Sequence, residues 1–328
     1  MPGANVSQPW PLQRLNPFYP GQPGVEGTDN RTGLRQSVEG TIFYVDPNYA
    51  GATTTADGTN PTNPLSTVAA ALTKCADHRG DMIVVMANGA WTHGEGTTRA
   101  LPVQESVTVT VHGVKIVGMA PSSSVGVVWE PSVSGATAIT VHALDVLIEG
   151  FAFQGDFDPA ISAEWNGTAL YGDNLTVRNC LFDEDVDIAI QLEFSWFFDI
   201  HHNGFFSCDE YGIYADAGGS GADDGYIHHN NFWNIGTSAV ALLGGSADNK
   251  VWENQFWNTH AAIGPAGGAT TGEMIDMTGG AREFVHDNIM SCLDTVPQNG
   301  DYADCNVSTA SGAWCRNRLM DAFSSTNP

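Results

Sequence analysis

Positive charge is what this chain has least of: 12 Lys and Arg stand against 37 Asp and Glu in 328 residues, a formal net charge of −25. Its lysines, Lys74, Lys115 and Lys250, lie far apart in the sequence. A surface that grips phosphates needs clustered cations, so nucleic acid and anionic membrane are excluded as partners. No apolar run reaches the length of a membrane span, which excludes membrane insertion by helices. The six cysteines include no CxxC pair, and this removes zinc-knuckle and thioredoxin-type sites. Cys180 and Cys208 fall near neighbouring repeats, and Cys292, Cys305 and Cys315 crowd the C-terminal end, where disulfides could form. No basic stretch followed by an apolar run opens the chain, so the expectation is synthesis in the cytoplasm without an export signal.

What is present is a repeat. An aliphatic residue is followed five places later by a large apolar one: Ile148 to Phe153, Val177 to Phe182, Ile200 to Phe205, Ile227 to Phe232, Val251 to Phe256 and Val285 to Met290. Looser copies run from Val114 to Met119 and from Trp314 to Leu319. The steps range from 23 residues (Val177 to Ile200) to 34 (Val251 to Val285), as in a solenoid whose strands are fixed while its loops vary. Three places into the frame stand Asn203, Asn230, Asn254, Asn288 and Asn317. Asn suits both a left-handed turn and a stacked amide ladder, so this column predicts the corner of each coil. Between frames a second strand motif recurs, a small residue before an aliphatic one: Ala138-Ile139, Ala160-Ile161, Ala189-Ile190, Gly212-Ile213, Ala239-Val240 and Ala262-Ile263. Two short strands per repeat with Gly-rich turns predict an all-β right-handed parallel β-helix of about eight coils.

The organisation follows from composition. Residues 1–40, rich in Pro and Gly, read as an extended arm that docks on the trunk or on a partner through Trp10, Phe18 and Tyr19. Residues 41–100 read as an N-terminal cap with the first strand and a capping helix over 66–77, and residues 101–328 as the β-helix with a C-terminal cap.

Ile227-His228-His229-Asn230-Asn231-Phe232 and Val251-Trp252-Glu253-Asn254-Gln255-Phe256 resemble repeats of the parallel β-helix superfamily that includes pectate-lyase-like proteins and phage tailspikes. The stretch from Phe43-Tyr44-Val45-Asp46 through Pro64-Leu65-Ser66-Thr67 resembles the entry cap of such chains, viral ones included. The resemblance implies a virion protein exposed on a particle (a capsid decoration, spike or tail fibre), commonly a homotrimer, held to capsid or tail proteins by residues 1–40 and able to contact host polysaccharide. Its alternative is a polysaccharide lyase or hydrolase of tailspike-like type with an acidic outer-face site.

Three groups of side chains are candidates for chemistry. Asp183, Glu184, Asp185 and Asp187, with Asp209 and Glu210 one coil later, could serve acid–base work or hold calcium; no other cofactor is called for. His201-His202 and His228-His229 should stack on consecutive coils, and four imidazoles could hold a metal, although column repetition explains them equally well. Phe206, Trp233 and Trp257 each follow a core aromatic. They form either an outward apolar stripe, a sugar platform or subunit seam, or a bend folded into the core.

Overall fold

A computed structural model describes residues 27–28, 35–36, 40–86, 102–119, 127–167, 171–183, 185–216, 221–257, 274–291 and 313–320. Three parallel sheets of ten, eight and seven strands carry the fold. Successive strands pass from one sheet to the next and return one coil higher, the winding of a parallel β-helix. In the segment expected to be an arm, Gly27–Thr28 pairs antiparallel with Arg35–Gln36; Trp10, Phe18 and Tyr19 lie outside the described residues. Among the described residues no helix is long and apolar enough to cross a membrane.

From Lys115 to Asp276 each coil has three strands rather than two, because the repeat frame is itself bent. Leu147–Glu149 lies in the first sheet and Phe151–Phe153 in the second, with Gly150 between them at φ 80°. In later coils the left-handed corner residue is Asn179, His202, His229, Glu253, Asp287 and Arg316, all at φ between 53° and 57°. The corner thus sits one place before the Asn column, a correction to the expected turn position. The asparagines follow the bend, with Asn203, Asn230, Asn254 and Asn288 buried, and bond to main chain. Asn230 Oδ1 accepts from Asn203 N at 2.9 Å, while its Nδ2 donates to Ile200 O at 2.9 Å. Asn254, Asn288 and Asn317 repeat both bonds one coil on. Each side chain therefore satisfies one donor and one acceptor that the bend removes from the sheets.

The interior is a set of columns. In the first sheet, Phe43, Ile83, Ile116, Ile148, Val177, Ile200, Ile227, Val251 and Val285 are in register, and Trp314 pairs with Val285 at the end. This sheet has ten rungs rather than eight, and it begins at Ile42, inside the segment expected to be a cap. Val114 is not the frame position it resembles, since Ile116 is the residue opposite Ile148. Both are fully buried, and period-two alternation offers either as the frame's start. The second column runs Trp129, Phe153, Phe182, Phe205, Phe232, Phe256 and Met290, all buried, with Phe rings stacked 4.5–5.1 Å apart. The third carries Ile139, Ile161, Ile190, Ile213, Val240 and Ile275. Ile275, not Ile263, is the partner of Val240; Ala262-Ile263 falls outside the described residues.

The capping helix is Val68–Leu72, shorter than the expected 66–77, and buries Val68, Ala71 and Leu72 over the first rungs. Thr67 Oγ1 accepts from Ala70 N, and the Glu105 carboxylate accepts from Val68 N and Ala69 N. The helix stops because Asp81 captures the chain beyond it, accepting from Ala76 N at 2.8 Å, Thr41 N at 2.7 Å and Arg79 Nε at 2.6 Å. Burial opposes the Asp81 charge, but Arg79 and these main-chain donors hold its carboxyl below the usual range. Cys180 and Cys208 are both buried and free. They belong to different corners, Cys180 in the Asn column and Cys208 beyond the second sheet, and so do not pair.

Candidate functional site

The expected acidic cluster forms at the turn between the second and third sheets. Burial, then repulsion from Asp156, Asp158, Asp209 and Glu210, raises the Asp187 carboxyl above its ordinary range, and Asp209 is raised by burial and by Asp185 and Asp156. Asp183 is buried and accepts from Gln154 Nε2 at 3.2 Å; Asp185, Asp209 and Glu210 are exposed, and Glu184 lies outside the described residues. Arg178, the one cation near it in sequence, is turned to the first sheet, where it pairs with Glu149 at 2.9 Å. Among the described residues no three His, Cys, Asp or Glu side chains are placed to hold a metal ion.

The histidines stack as expected. His201 lies on His228 and His202 on His229, each with ring centroids 5.0 Å apart, and Trp252 and His286 continue the first column. Within each coil the two Nδ1 atoms face one another at 2.7 Å and 2.8 Å, a distance filled by one shared proton. Burial pushes His201 down to about 3 and His202 to about 4, so both are neutral at physiological pH. His228 and His229 spend their Nε2 atoms on Asp199 and Glu253. Phe206, Trp233 and Trp257 are in register and half-buried, one place beyond the fully buried Phe205, Phe232 and Phe256.

A more open group, not singled out from the sequence, lies where the third sheet turns into the first. The turn Phe194-Ser195-Trp196-Phe197-Phe198 buries Ser195 and Phe198 and exposes the other three, Trp196 by 50% and Phe197 by 53%. It is held firmly: Ser195 Oγ donates to Gly172 O at 2.8 Å, Trp196 N to Asp173 Oδ1 at 2.9 Å and Phe197 N to Asp223 O at 3.0 Å. On the preceding coil Trp165 and Tyr171 are exposed and stacked at 6.1 Å, and Trp165 meets Phe194 edge-on at 5.7 Å. Phe197 occupies the corner column that elsewhere holds Asp145, Asn174, Asp224, Asp248 and Arg282, all with positive φ. Asn and Asp tolerate that conformation, whereas a bulky ring there is uncommon, so an exposed Phe at φ 61° is held at a cost to the backbone. The readable signal was an aromatic run at a corner whose other residues, Asp145, Asn174, Asp224, Asp248 and Arg282, are all polar.

Beside this platform the outer face of the third sheet is polar. His142, Glu164, Glu193 and Asp216 each follow a strand residue of one register, Val141, Ala163, Leu192 and Ala215. His142 Nε2 lies 3.1 Å from Glu164, Gln191 Nε2 donates to Glu193 at 2.7 Å, and Tyr214 OH to Asp216 at 3.4 Å. Burial, then Glu164 nearby, raises the Glu193 carboxyl; burial and Asp216 push the Tyr214 hydroxyl up to about 12. Tyr211 stacks on Tyr214 at 4.4 Å. Flat exposed rings beside a row of hydrogen-bond acceptors and amide donors can stack on an apolar ring face while bonding its hydroxyl groups.

A family model described as periplasmic copper-binding protein (NosD) matches residues 158–270. No curated protein matches the chain by sequence. Among solved structures, the GH136 lacto-N-biosidase of Eubacterium ramulus is similar at 10% identity and TM-score 0.52, over 77% of this chain and 52% of that one. ORF18 of Geobacillus virus E2 is similar at 13% identity and TM-score 0.44, over 76% of this chain and 48% of that one. The Dettilon tailspike protein is similar at 14% identity and TM-score 0.37, over 85% of this chain and 68% of that one. The chain thus spans about half the length of the first two. With three parallel sheets wound coil upon coil, the chain has the fold of a right-handed parallel β-helix.

Proposed function

We propose that the chain is a surface component of a tailed-phage particle whose β-helix trunk carries a glycan-binding face. The observation that carries the glycan reading is the rigid, exposed platform of Trp165, Tyr171, Phe194, Trp196 and Phe197 beside Glu164, Gln191 and Glu193. A docked turn with outward rings pays its ordering cost in folding and has little left to lose on binding. The acidic, cation-poor rod suits exposure on a particle, with residues 1–40 as the anchor and a homotrimer as its assembly. Removing residues 1–40 abolishes incorporation into particles in this reading, and unaltered incorporation overturns the anchoring.

The binding claim is tested on an immobilised oligosaccharide panel. Wild-type chain is retained by at least one glycan, and Trp165→Ala with Trp196→Ala removes that retention while leaving the melting temperature within a few degrees. Retention unchanged by the pair overturns the platform as the site. Phe197→Asn separates the two roles of the corner, raising stability by about 1 kcal/mol as the left-handed strain is relieved and weakening retention. Chemical denaturation of that variant reads the first effect.

A second reading, that the face also cleaves what it binds, is favoured by Glu164 and Glu193 standing one coil apart. Strands spaced about 4.8 Å apart bring such carboxyls near the roughly 5–5.5 Å separation used by retaining glycosidases. New reducing ends in the panel incubations, absent with Glu193→Gln, support it; none at all sets it aside.

A further inference from the structure

Resting on the glycan reading, we infer that this face selects uncharged glycans and rejects those bearing uronic or sialic acid carboxylates. The rings of Trp165, Phe194 and Trp196 offer contact to any sugar ring, charged or not, so discrimination has to come from the polar column alongside. That column is acidic: Glu164, Glu193 and Asp216 on consecutive coils of the third sheet, with Asp173 and Asp223 under the platform turn. Among the described residues the one basic side chain within it, His142, is engaged by Glu164. Arg282 shares the corner column but pairs with Asp248, three coils away from Phe197. Arg178 pairs with Glu149 on the first sheet, and Lys250 lies over the Tyr226 ring there.

A neutral sugar meets this surface with hydroxyl donors, and carboxylates accept from hydroxyls in short, charge-assisted bonds. Gln191 and Tyr214 add amide and phenol partners within the same face. A sugar carboxylate brings no donor and adds a like charge within a few ångströms of two or three others. Specificity here comes from that repulsion as much as from the attraction of the right ligand.

The test uses the full chain and a panel in which each uronic-acid or sialylated oligosaccharide is matched by its carboxyl-reduced form. The reduced member of a pair binds about tenfold or more tightly in low salt. Added salt narrows the gap. Glu164→Gln with Glu193→Gln narrows it as well, by admitting the acidic member. Equal or tighter binding of the acidic member by wild-type chain overturns the selectivity and leaves the glycan reading standing. Retention of no member, charged or reduced, overturns the glycan reading itself and the selectivity with it.

Discussion

Replacing Asn254 by alanine lowers the free energy of unfolding by about 4 kcal/mol, because a single side chain serves four buried groups. Its Oδ1 accepts from Asn230 N at 2.9 Å and Asn230 Nδ2 at 3.1 Å, and its Nδ2 donates to Ile227 O at 3.0 Å and Asn288 Oδ1 at 3.1 Å. Alanine fills none of these, and Asn254 is fully buried, so water does not replace the lost partners freely. Each stranded group costs roughly 1–3 kcal/mol, and partial relaxation keeps the total nearer the lower end of that sum. The matching control is Gln255→Ala, an exposed neighbour on the same coil, expected to change stability by less than about 0.5 kcal/mol. Denaturant melts of both variants read the difference. A loss of under about 1 kcal/mol for Asn254→Ala would mean that the ladder is ornamental and that the sheets alone carry the corner.

That ladder also marks where sequence and structure part. The columns at the start, third and fifth places of the frame were readable because each repeats a residue type, and the register pairs Ile200 with Ile227 and Phe205 with Phe232 as the spacing implied. The corner was misplaced by one residue, for a physical reason. The left-handed position is exposed or half-buried and accepts Asn179, His202, Glu253 or Arg316 alike, so it carries no residue signature, while the neighbour that bonds the freed main chain is an Asn in every described coil from Asn203 on. Of the two rungs ahead of the frames, Met82–Met86 was legible as the first strand, whereas Ile42–Val45 was read as part of the entry cap because it lacks the frame that marks the later coils. The aromatic platform escaped for the opposite reason. It breaks the column pattern, and a search for repetition passes over the one coil that departs from it. Its exposure depends on Ser195 and Phe198 turning inward, which follows from the Gly172 carbonyl and from packing rather than from spacing.

Phe205→Ala is expected to cost about 4 kcal/mol, within the roughly 3–5 kcal/mol of a buried Phe→Ala change, and the column explains why little of it can be recovered. Phe205 is fully buried, stacked on Phe182 at 5.0 Å and on Phe232 at 4.5 Å, with both ring pairs tilted by 8°. The main-chain bonds of the second sheet hold the coils at fixed spacing, so Phe182 and Phe232 cannot close over the gap as side chains of a looser core do. Phe205→Leu keeps most of the volume and loses the ring contact, and should cost about 1–2 kcal/mol. The column itself accommodates such a residue, since Met290 takes the same register place three coils further along and is buried there. The pair of variants therefore separates filling from stacking. A Leu variant as stable as wild type would assign the column to volume alone, and one as damaged as the Ala variant would assign it to the rings. Because a solenoid transmits load only between neighbouring coils, hydrogen exchange in Phe205→Ala should rise first in the coils holding Phe182 and Phe232 and leave the rungs of Phe43 and Ile83 protected. Uniform loss of protection along the chain would instead mean that the trunk unfolds as one unit.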